Sequence, residues 1–118
     1  MTNQLTIPKS LNLTKAETAA LNALLSDLKQ LCPLAKFRLF GSKVKGVADA
    51  ESDLDLFIEL PTPVPENLRR RIIHKVFEIN LAYESNISVL IVSTEEWETG
   101  PLTLLPIHAA VVQDGVSI

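Results

Sequence analysis

This sequence is poor in the residues that build covalent cross-links and zinc sites. It contains one cysteine, Cys32, so it forms no internal disulfide and no cysteine-based metal site. Its two histidines, His74 and His108, stand far apart in the chain, which argues against a zinc site. Each histidine is more simply interpreted as a surface or hydrogen-bonded side chain than as a catalyst.

Long apolar runs and excess positive charge are also missing. No run is long enough to span a membrane, and the polar first ten residues, which include Pro8, do not have the pattern of a signal peptide. We therefore expect a cytoplasmic protein. The formal net charge of −3 gives no general attraction for nucleic acid, so direct nucleic-acid binding is not expected. The basic run at residues 69–71 is more simply a solvated face or a contact for an acidic partner, because neighbouring helical residues diverge by about 100°.

Apolar residues, by contrast, are abundant for a chain of this length. Of the 118 residues, 47% are hydrophobic, and the mean hydropathy is +0.21. This is more than a monomer of this size usually needs, which indicates that part of the apolar surface meets a partner. We predict a single domain over residues 1–118, with residues 1–12 as a flexible tail or a short added strand, and homo-oligomerisation stays open.

Hydrophobic periodicity predicts two long helices and three strands. The first helix begins at Thr14 with Glu17 three residues later, which is the pattern of a capping box, and it should end near Cys32 because Pro33 disfavours helical geometry before it. The other predicted elements are strands over Lys36–Phe40, Leu54–Leu60 and Asn86–Ser93, and a second long helix over Glu66–Tyr83.

The C-terminal part of the chain is predicted to be helical with a final short strand. Thr94 is expected to cap a short helix whose Trp97 packs at the edge of the domain. A further helix over 102–110 is either started or interrupted by Pro106, and valines near Gly115 add a last strand. The order of elements indicates an α/β or α+β domain with a small mixed sheet and helices on one side.

The segment between the first two strands carries the most informative pattern. Gly41 permits a backbone turn and the close approach of a ligand. Ser42 can begin a helix, whose first N–H groups bind anions such as phosphate. Lys43 and Lys45 add positive charge, and Gly46 ends the turn. This half of the segment therefore predicts a phosphate-binding turn.

Two acids, Asp53 and Asp55, open the second strand. Residues i and i+2 of a strand point to the same side, so the two carboxylates would lie side by side. Such like charges repel, and one takes up a proton unless a cation lies between them. A hard divalent cation with oxygen ligands, such as Mg²⁺, resolves this repulsion. Together, the turn and the acids suit a metal-bound nucleoside triphosphate.

The combined pattern, Gly-Ser-x-x-x-Gly followed by Ser-Asp-x-Asp-Leu, resembles the signature of the DNA polymerase beta-like nucleotidyltransferase superfamily. The small size resembles its minimal, stand-alone branch (MNT type), whose members often act as antitoxins beside a helical HEPN-domain partner. The matching residues are Gly41, Ser42, Gly46, Ser52, Asp53 and Asp55. The resemblance implies the nucleotidyltransferase fold, a small mixed β-sheet flanked by helices.

The resemblance also implies an activity: Mg²⁺-dependent transfer of a nucleoside monophosphate, AMP from ATP, to a hydroxyl on a partner protein. Asp53 and Asp55 would be the catalytic residues and the metal ligands. Lys45, where relatives often carry Arg, would support the phosphates as a point charge. The expected nucleotide contacts are Gly41, Ser42, Lys45, Gly46 and Ser52.

One position departs from the family pattern. Relatives usually place a third acid in the third strand, where this chain has Ser88 between Ile87 and Val89. Serine is a poor replacement for a metal-bound carboxylate. In the family, the third acid is also the residue best placed to act as general base. Glu84, just before the strand, is the alternative candidate for this acid. Two functions therefore stay open: an active transferase serving as antitoxin of a HEPN/MNT pair, or a catalytically degenerate nucleotidyltransferase-fold module that neutralises or scaffolds a helical partner. Modification of a small molecule ranks last.

Overall fold

The computed structural model describes residues 13–41, 44 and 53–118. The predicted tail at residues 1–12 lies outside this part of the chain. None of the described helices has the length and apolar content that a membrane crossing requires. The elements in chain order are α1 (Lys15–Leu31), β1 (Lys36–Phe40), β2 (Leu54–Leu60), α2 (Glu66–Tyr83), β3 (Ile87–Ser93), α3 (Thr94–Thr99), a 3₁₀ helix (Pro101–Leu104), α4 (Pro106–Asp114) and β4 (Val116–Ser117).

The four strands described form one mixed sheet in the order β3-β2-β1-β4. β1 runs antiparallel to both β2 and β4, whereas β2 and β3 are parallel. Parallel neighbours require a crossover connection, and α2 supplies it. The predicted fold class, a small mixed α+β sheet flanked by helices, is confirmed.

The two long helices cover one face of the sheet. α1 begins with the predicted capping box, in which the Thr14 hydroxyl accepts a 3.0 Å bond from the Glu17 N–H and the Glu17 carboxylate accepts a 2.9 Å bond from the Thr14 N–H. The helix ends at Cys32 as predicted, and burial raises the pKa of this thiol above its usual 9.0. The core on this face includes Leu21, Leu24, Leu25, Leu28, Leu39, Leu56, Ile58, Ile72 and Ile91.

The short C-terminal helices lie on the opposite face, so the expectation that the helices share one side is wrong. Alternate strand residues point to opposite faces, and Phe57 and Val92 point away from α1 and α2. They pack with Trp97 of α3 and Val111 of α4. The Trp97 ring lies 4.5 Å from the Phe57 ring and 4.3 Å from the His108 ring, centroid to centroid. A second apolar cluster thus buries part of the other face.

The start of α3 also differs from the prediction. Its cap is Ser93, not Thr94: the Ser93 hydroxyl accepts a 3.3 Å bond from the Glu96 N–H, and the Glu96 carboxylate accepts a 2.9 Å bond from the Ser93 N–H. The Thr94 hydroxyl instead donates a 2.7 Å bond to Glu59. Of the two alternatives for Pro106, the structure shows the helix start.

Candidate functional site

Three strands bring the candidate site residues together at one edge of the sheet. Asp55 lies near the start of β2, where the antiparallel register pairs it with Phe40, the last residue of β1. The parallel register on its other side pairs it with Ser88 of β3. Gly41 directly follows Phe40. The sheet therefore places Gly41, Asp55 and Ser88 next to one another.

The main chain of Gly41 lies directly against the Asp55 carboxylate. Gly41 has φ +86°, a conformation that residues with a side chain rarely adopt. A Cβ at this position would overlap Asp55 Oδ2 and lie 3.1 Å from Asp55 Cγ. The Val44 N–H donates a 3.1 Å bond to the Gly41 carbonyl, which turns the chain after β1. Glycine is thus required here by both conformation and space.

Ser88 holds the same carboxylate from the other side. Its hydroxyl donates a 2.7 Å hydrogen bond to Asp55 Oδ1. Asp55 is half-buried and Ser88 is exposed, so the pair stands at the surface of the sheet. The position in β3 beside Asp55 therefore carries a neutral hydroxyl rather than a third negative charge.

The other two candidate acids, Asp53 and Glu84, lie outside the strands. Asp53 immediately precedes β2 and is exposed. Glu84, the alternative third acid, is exposed at the C-cap of α2 with φ 52°, whereas the residue beside Asp55 is Ser88. Within residues 13–41, 44 and 53–118, no three His, Cys, Asp or Glu side chains are grouped to hold a metal ion. Asp53, Asp55 and Ser88 offer oxygen atoms alone, a donor set that suits Mg²⁺.

The remaining predicted nucleotide contacts lie outside the described residues: Ser42, Lys45, Gly46 and Ser52. Of the predicted site residues, the structure thus places Gly41, Asp53 and Asp55, and it shows Gly41 and Asp55 in contact. The roles of all seven stay predictions.

Sequence reasoning missed one buried acid, which lies near the other end of β2 from Asp55. Glu59 lies on the same side of β2 as Asp55, is only 8% exposed, and accepts a 2.7 Å bond from the Thr94 hydroxyl. The β1–β2 register places it opposite Lys36. An acid inside an apolar strand is the signal that could have identified it. Its bond to Thr94 attaches α3 to β2.

Comparison with known proteins identifies the family of the chain. The family model of the nucleotidyltransferase domain matches residues 21–111. No curated protein matches the chain by sequence. A solved structure described as "Crystal structure of the toxin-antitoxin with AMP-PNP" is 18% identical, with a TM-score of 0.55, and the match covers 88% of this chain and 72% of that chain. Identity this low shows a shared fold alone. Because the family model spans more than half of the sequence, the chain belongs to the nucleotidyltransferase domain family, of the DNA polymerase beta-like type that its motif resembles.

Proposed function

We propose that this protein is a Mg²⁺-dependent nucleotidyltransferase that transfers AMP from ATP to a hydroxyl group on a partner protein and releases pyrophosphate. One observation carries the proposal: the main chain of Gly41 lies against the carboxylate of Asp55. This contact joins one residue from each half of the family signature, Gly41 from the glycine-serine half and Asp55 from the acidic half. Family membership supports nucleotidyl transfer in general, and the ion, the nucleotide and the acceptor are our proposal.

In this proposal, Asp53 and Asp55 hold the divalent ions. Such ions, when bound, neutralise charge on the phosphoryl oxygens and stabilise the attacking and leaving oxygens of an in-line displacement. Ser88 orients the Asp55 carboxylate through its hydrogen bond. Gly41, with its positive φ, lets the chain turn after β1 into the segment that we propose binds the phosphates.

The remaining predicted contacts complete the proposed nucleotide site. Ser42, Lys45, Gly46 and Ser52 would bind the triphosphate, with Lys45 as a point charge.

We further propose that the acceptor is a HEPN-type helical protein and that this chain is its antitoxin. The similar solved structure is described as a toxin-antitoxin with AMP-PNP, which supports a nucleotide site in a protein of such a pair. The exposed apolar side chains on the described surface, such as Phe77 and Leu104, support a protein partner of some kind.

Incubation with α-labelled ATP, Mg²⁺ and a co-expressed HEPN-type protein tests the proposal. We expect label on the partner, and Asp55→Asn should reduce the labelling rate about 100-fold or more, the scale of losing a principal electrostatic contact of the transition state. Glu98→Gln, which alters an exposed carboxylate in α3, is the matched control and should keep the rate. Absence of label, with ATP and Mg²⁺ uptake intact by calorimetry, would contradict transfer.

A second candidate function is a catalytically degenerate module that neutralises its partner by contact. The neutral Ser88 hydroxyl beside Asp55 favours it, because the family's third acid is also its best-placed general base. The double variant Asp53→Ala, Asp55→Ala separates the two functions. Neutralisation of the partner is lost if transfer is required, and it is retained if contact is sufficient.

A further inference from the structure

The strand β3 forms one outer edge of the sheet that the structure describes. The Leu54 N–H of β2 donates a 2.9 Å bond to the carbonyl of Asn86, the residue just before β3. Because main-chain groups alternate between the two sides of a strand, Ser88 and the other even-numbered residues of β3 turn theirs towards β2. The odd-numbered residues of β3 therefore turn their N–H and carbonyl groups outward.

Side chains from α2 occupy this outer edge on both sides of Val89. The Asn80 amide accepts a 2.9 Å bond from the Ile87 N–H and donates a 3.0 Å bond to the Ile87 carbonyl. Further along, the Arg69 guanidinium donates a 3.2 Å bond to the Ile91 carbonyl. Among the described residues, none bonds to the outward N–H and carbonyl of Val89 or to the Ile91 N–H. We call these three open groups the Val89 window.

The Val89 window lies on the side of the candidate site from which an acceptor has to approach. β2 stands between β1 and β3, Gly41 directly follows β1, and Ser88 contacts Asp55 from β3. Under the proposed function, the phosphates bind after Gly41 and so lie on the β1 side of Asp55. An in-line displacement needs the attacking oxygen opposite the leaving oxygen. The attacking hydroxyl therefore comes from the β3 side.

We propose that the acceptor protein docks an extended segment as an added strand at the Val89 window, and that this segment carries the hydroxyl that receives AMP. An extended chain presents the alternating donors and acceptors that an open strand edge pairs with. Directly opposite residues of neighbouring strands place their side chains on the same face, so the residue opposite Ser88 points to the face of Asp55. Two strand spacings, about 9–10 Å, separate its main chain from that of Asp55, which leaves space for a side chain and a phosphate between them.

This inference rests on the proposed function, and the docked segment has a defined part in its chemical step. The hydroxyl oxygen forms a bond to the α-phosphorus of ATP, and the bond from that phosphorus to the pyrophosphate oxygen breaks. Pyrophosphate leaves with the electron pair, and the hydroxyl proton passes to water. The added strand holds the hydroxyl in position for this attack, beside a residue, Ser88, that is no general base.

Hydrogen exchange of single amides, followed by NMR, tests the docking. In the chain alone, the Val89 and Ile91 amides should exchange faster than the Ser88 and Leu90 amides, which turn towards β2. Addition of the HEPN-type protein with Mg²⁺ and α,β-methylene-ATP, which cannot transfer AMP, should slow exchange at Val89 and Ile91 at least about tenfold, the scale of one hydrogen bond. Absence of binding, or binding without this protection, overturns the proposal. Equal protection in the chain alone at high concentration, which means pairing between copies, overturns it as well.

Transfer kinetics test the same contact by substitution. Val89→Pro removes an N–H that faces away from the sheet, at an edge position that tolerates proline. It should raise the KM for the partner protein at least about tenfold, again the scale of one hydrogen bond, and leave the KM for ATP unchanged. Val89→Thr, of similar size, keeps the N–H and should have the lower partner KM of the two, with circular dichroism to verify that both variants fold. Equal partner KM values in the two variants overturn the proposal.

Strand docking and AMP transfer fail separately in these experiments. Label on the partner without protection of the Val89 and Ile91 amides contradicts strand docking and supports transfer. Protection of the two amides without label contradicts transfer and supports the docking of an extended segment.

Discussion

Two neutral groups hold the Asp55 carboxylate, so neither adds a second negative charge beside it. Ser88 donates to Oδ1 at 2.7 Å, and the main chain of Gly41 lies against Oδ2. A carboxylate at position 88 would stand beside Asp55 in the β2–β3 register. Because adjacent like charges repel unless a cation neutralises them, the residue at position 88 determines how strongly the site attracts divalent ions.

We predict that Ser88→Asp makes the stability of the protein dependent on Mg²⁺. Without divalent ions the free energy of unfolding should fall by roughly 0.2–1 kcal/mol, the general size of a cross-strand side-chain interaction, because the two like charges repel. Addition of Mg²⁺ should restore it, and thermal unfolding with and without the ion measures both effects. Ser88→Asn, similar in size but neutral, is the control, and an equal response of the two variants to Mg²⁺ would contradict this account.

A second prediction at the scale of single residues concerns Gly41. Gly41→Ala should lower the free energy of unfolding by about 1–3 kcal/mol, because φ is +86° and the new Cβ overlaps the Asp55 carboxylate. In an Asp55→Ala background the overlap is absent and only the backbone strain remains, so the cost should be smaller. Urea denaturation of the four variants measures this difference. If Gly41→Ala lowers the free energy of unfolding equally in both backgrounds, the overlap with the Asp55 carboxylate does not contribute to the loss.

The local part of the site could be predicted from the sequence. Two acids at i and i+2 and a glycine at the end of a strand are visible in the chain itself, and the family motif pointed to Ser88 as the neighbour of the acids. The contact of Gly41 with Asp55 could not be predicted. It depends on the β1–β2 register and on one backbone angle, neither of which is encoded in a short stretch of residues.

At the scale of elements, α3 is attached to β2 through side chains. The Thr94 hydroxyl lies 2.7 Å from Glu59 Oε2 and 3.3 Å from the Leu60 carbonyl oxygen. We predict that Thr94→Val lowers the free energy of unfolding by about 1–3 kcal/mol, because the buried Glu59 carboxylate then loses its donor. Chemical denaturation measures the loss.

Thr99→Val is the matched control for that substitution. The Thr99 hydroxyl bonds to the Glu95 carbonyl at an exposed position within α3, so its removal should change stability much less. A larger loss in Thr99→Val than in Thr94→Val would show that the bond between Thr94 and Glu59 does not hold α3 in place.

The bounds of the helices could be predicted from the sequence better than the faces of the sheet on which they pack. The ends of α1 follow from the capping box at Thr14 and Glu17 and from Pro33, all of which act within a few residues. The face of the sheet on which α3 packs does not follow from nearby residues, because an amphipathic helix can cover either side of a sheet. The contact of Trp97 with Phe57, forty residues earlier in the chain, determines the face on which α3 packs.

At the scale of the whole molecule, two apolar clusters lie on opposite faces of one sheet. The larger cluster includes Leu24 and Leu56 beneath the long helices, and the smaller one includes Phe57 and Trp97 beneath α3 and α4. Leu56 and Phe57 are neighbours in β2 and belong to different clusters. Neither cluster can lose its strands without disrupting the other, which favours unfolding as one cooperative unit.

We therefore predict coincident unfolding curves from two probes that report on different faces. Trp97, the chain's sole tryptophan, reports on the smaller cluster by fluorescence, while far-UV circular dichroism reports mainly on the long helices. Leu24→Ala, at a fully buried position of α1, should cost about 2–5 kcal/mol and shift both curves equally, although Trp97 lies on the opposite face. Leu104→Ala, at an exposed position, should shift neither curve. If Leu24→Ala moves the dichroism curve and leaves the fluorescence curve in place, the two faces unfold separately and the prediction of a single domain is wrong.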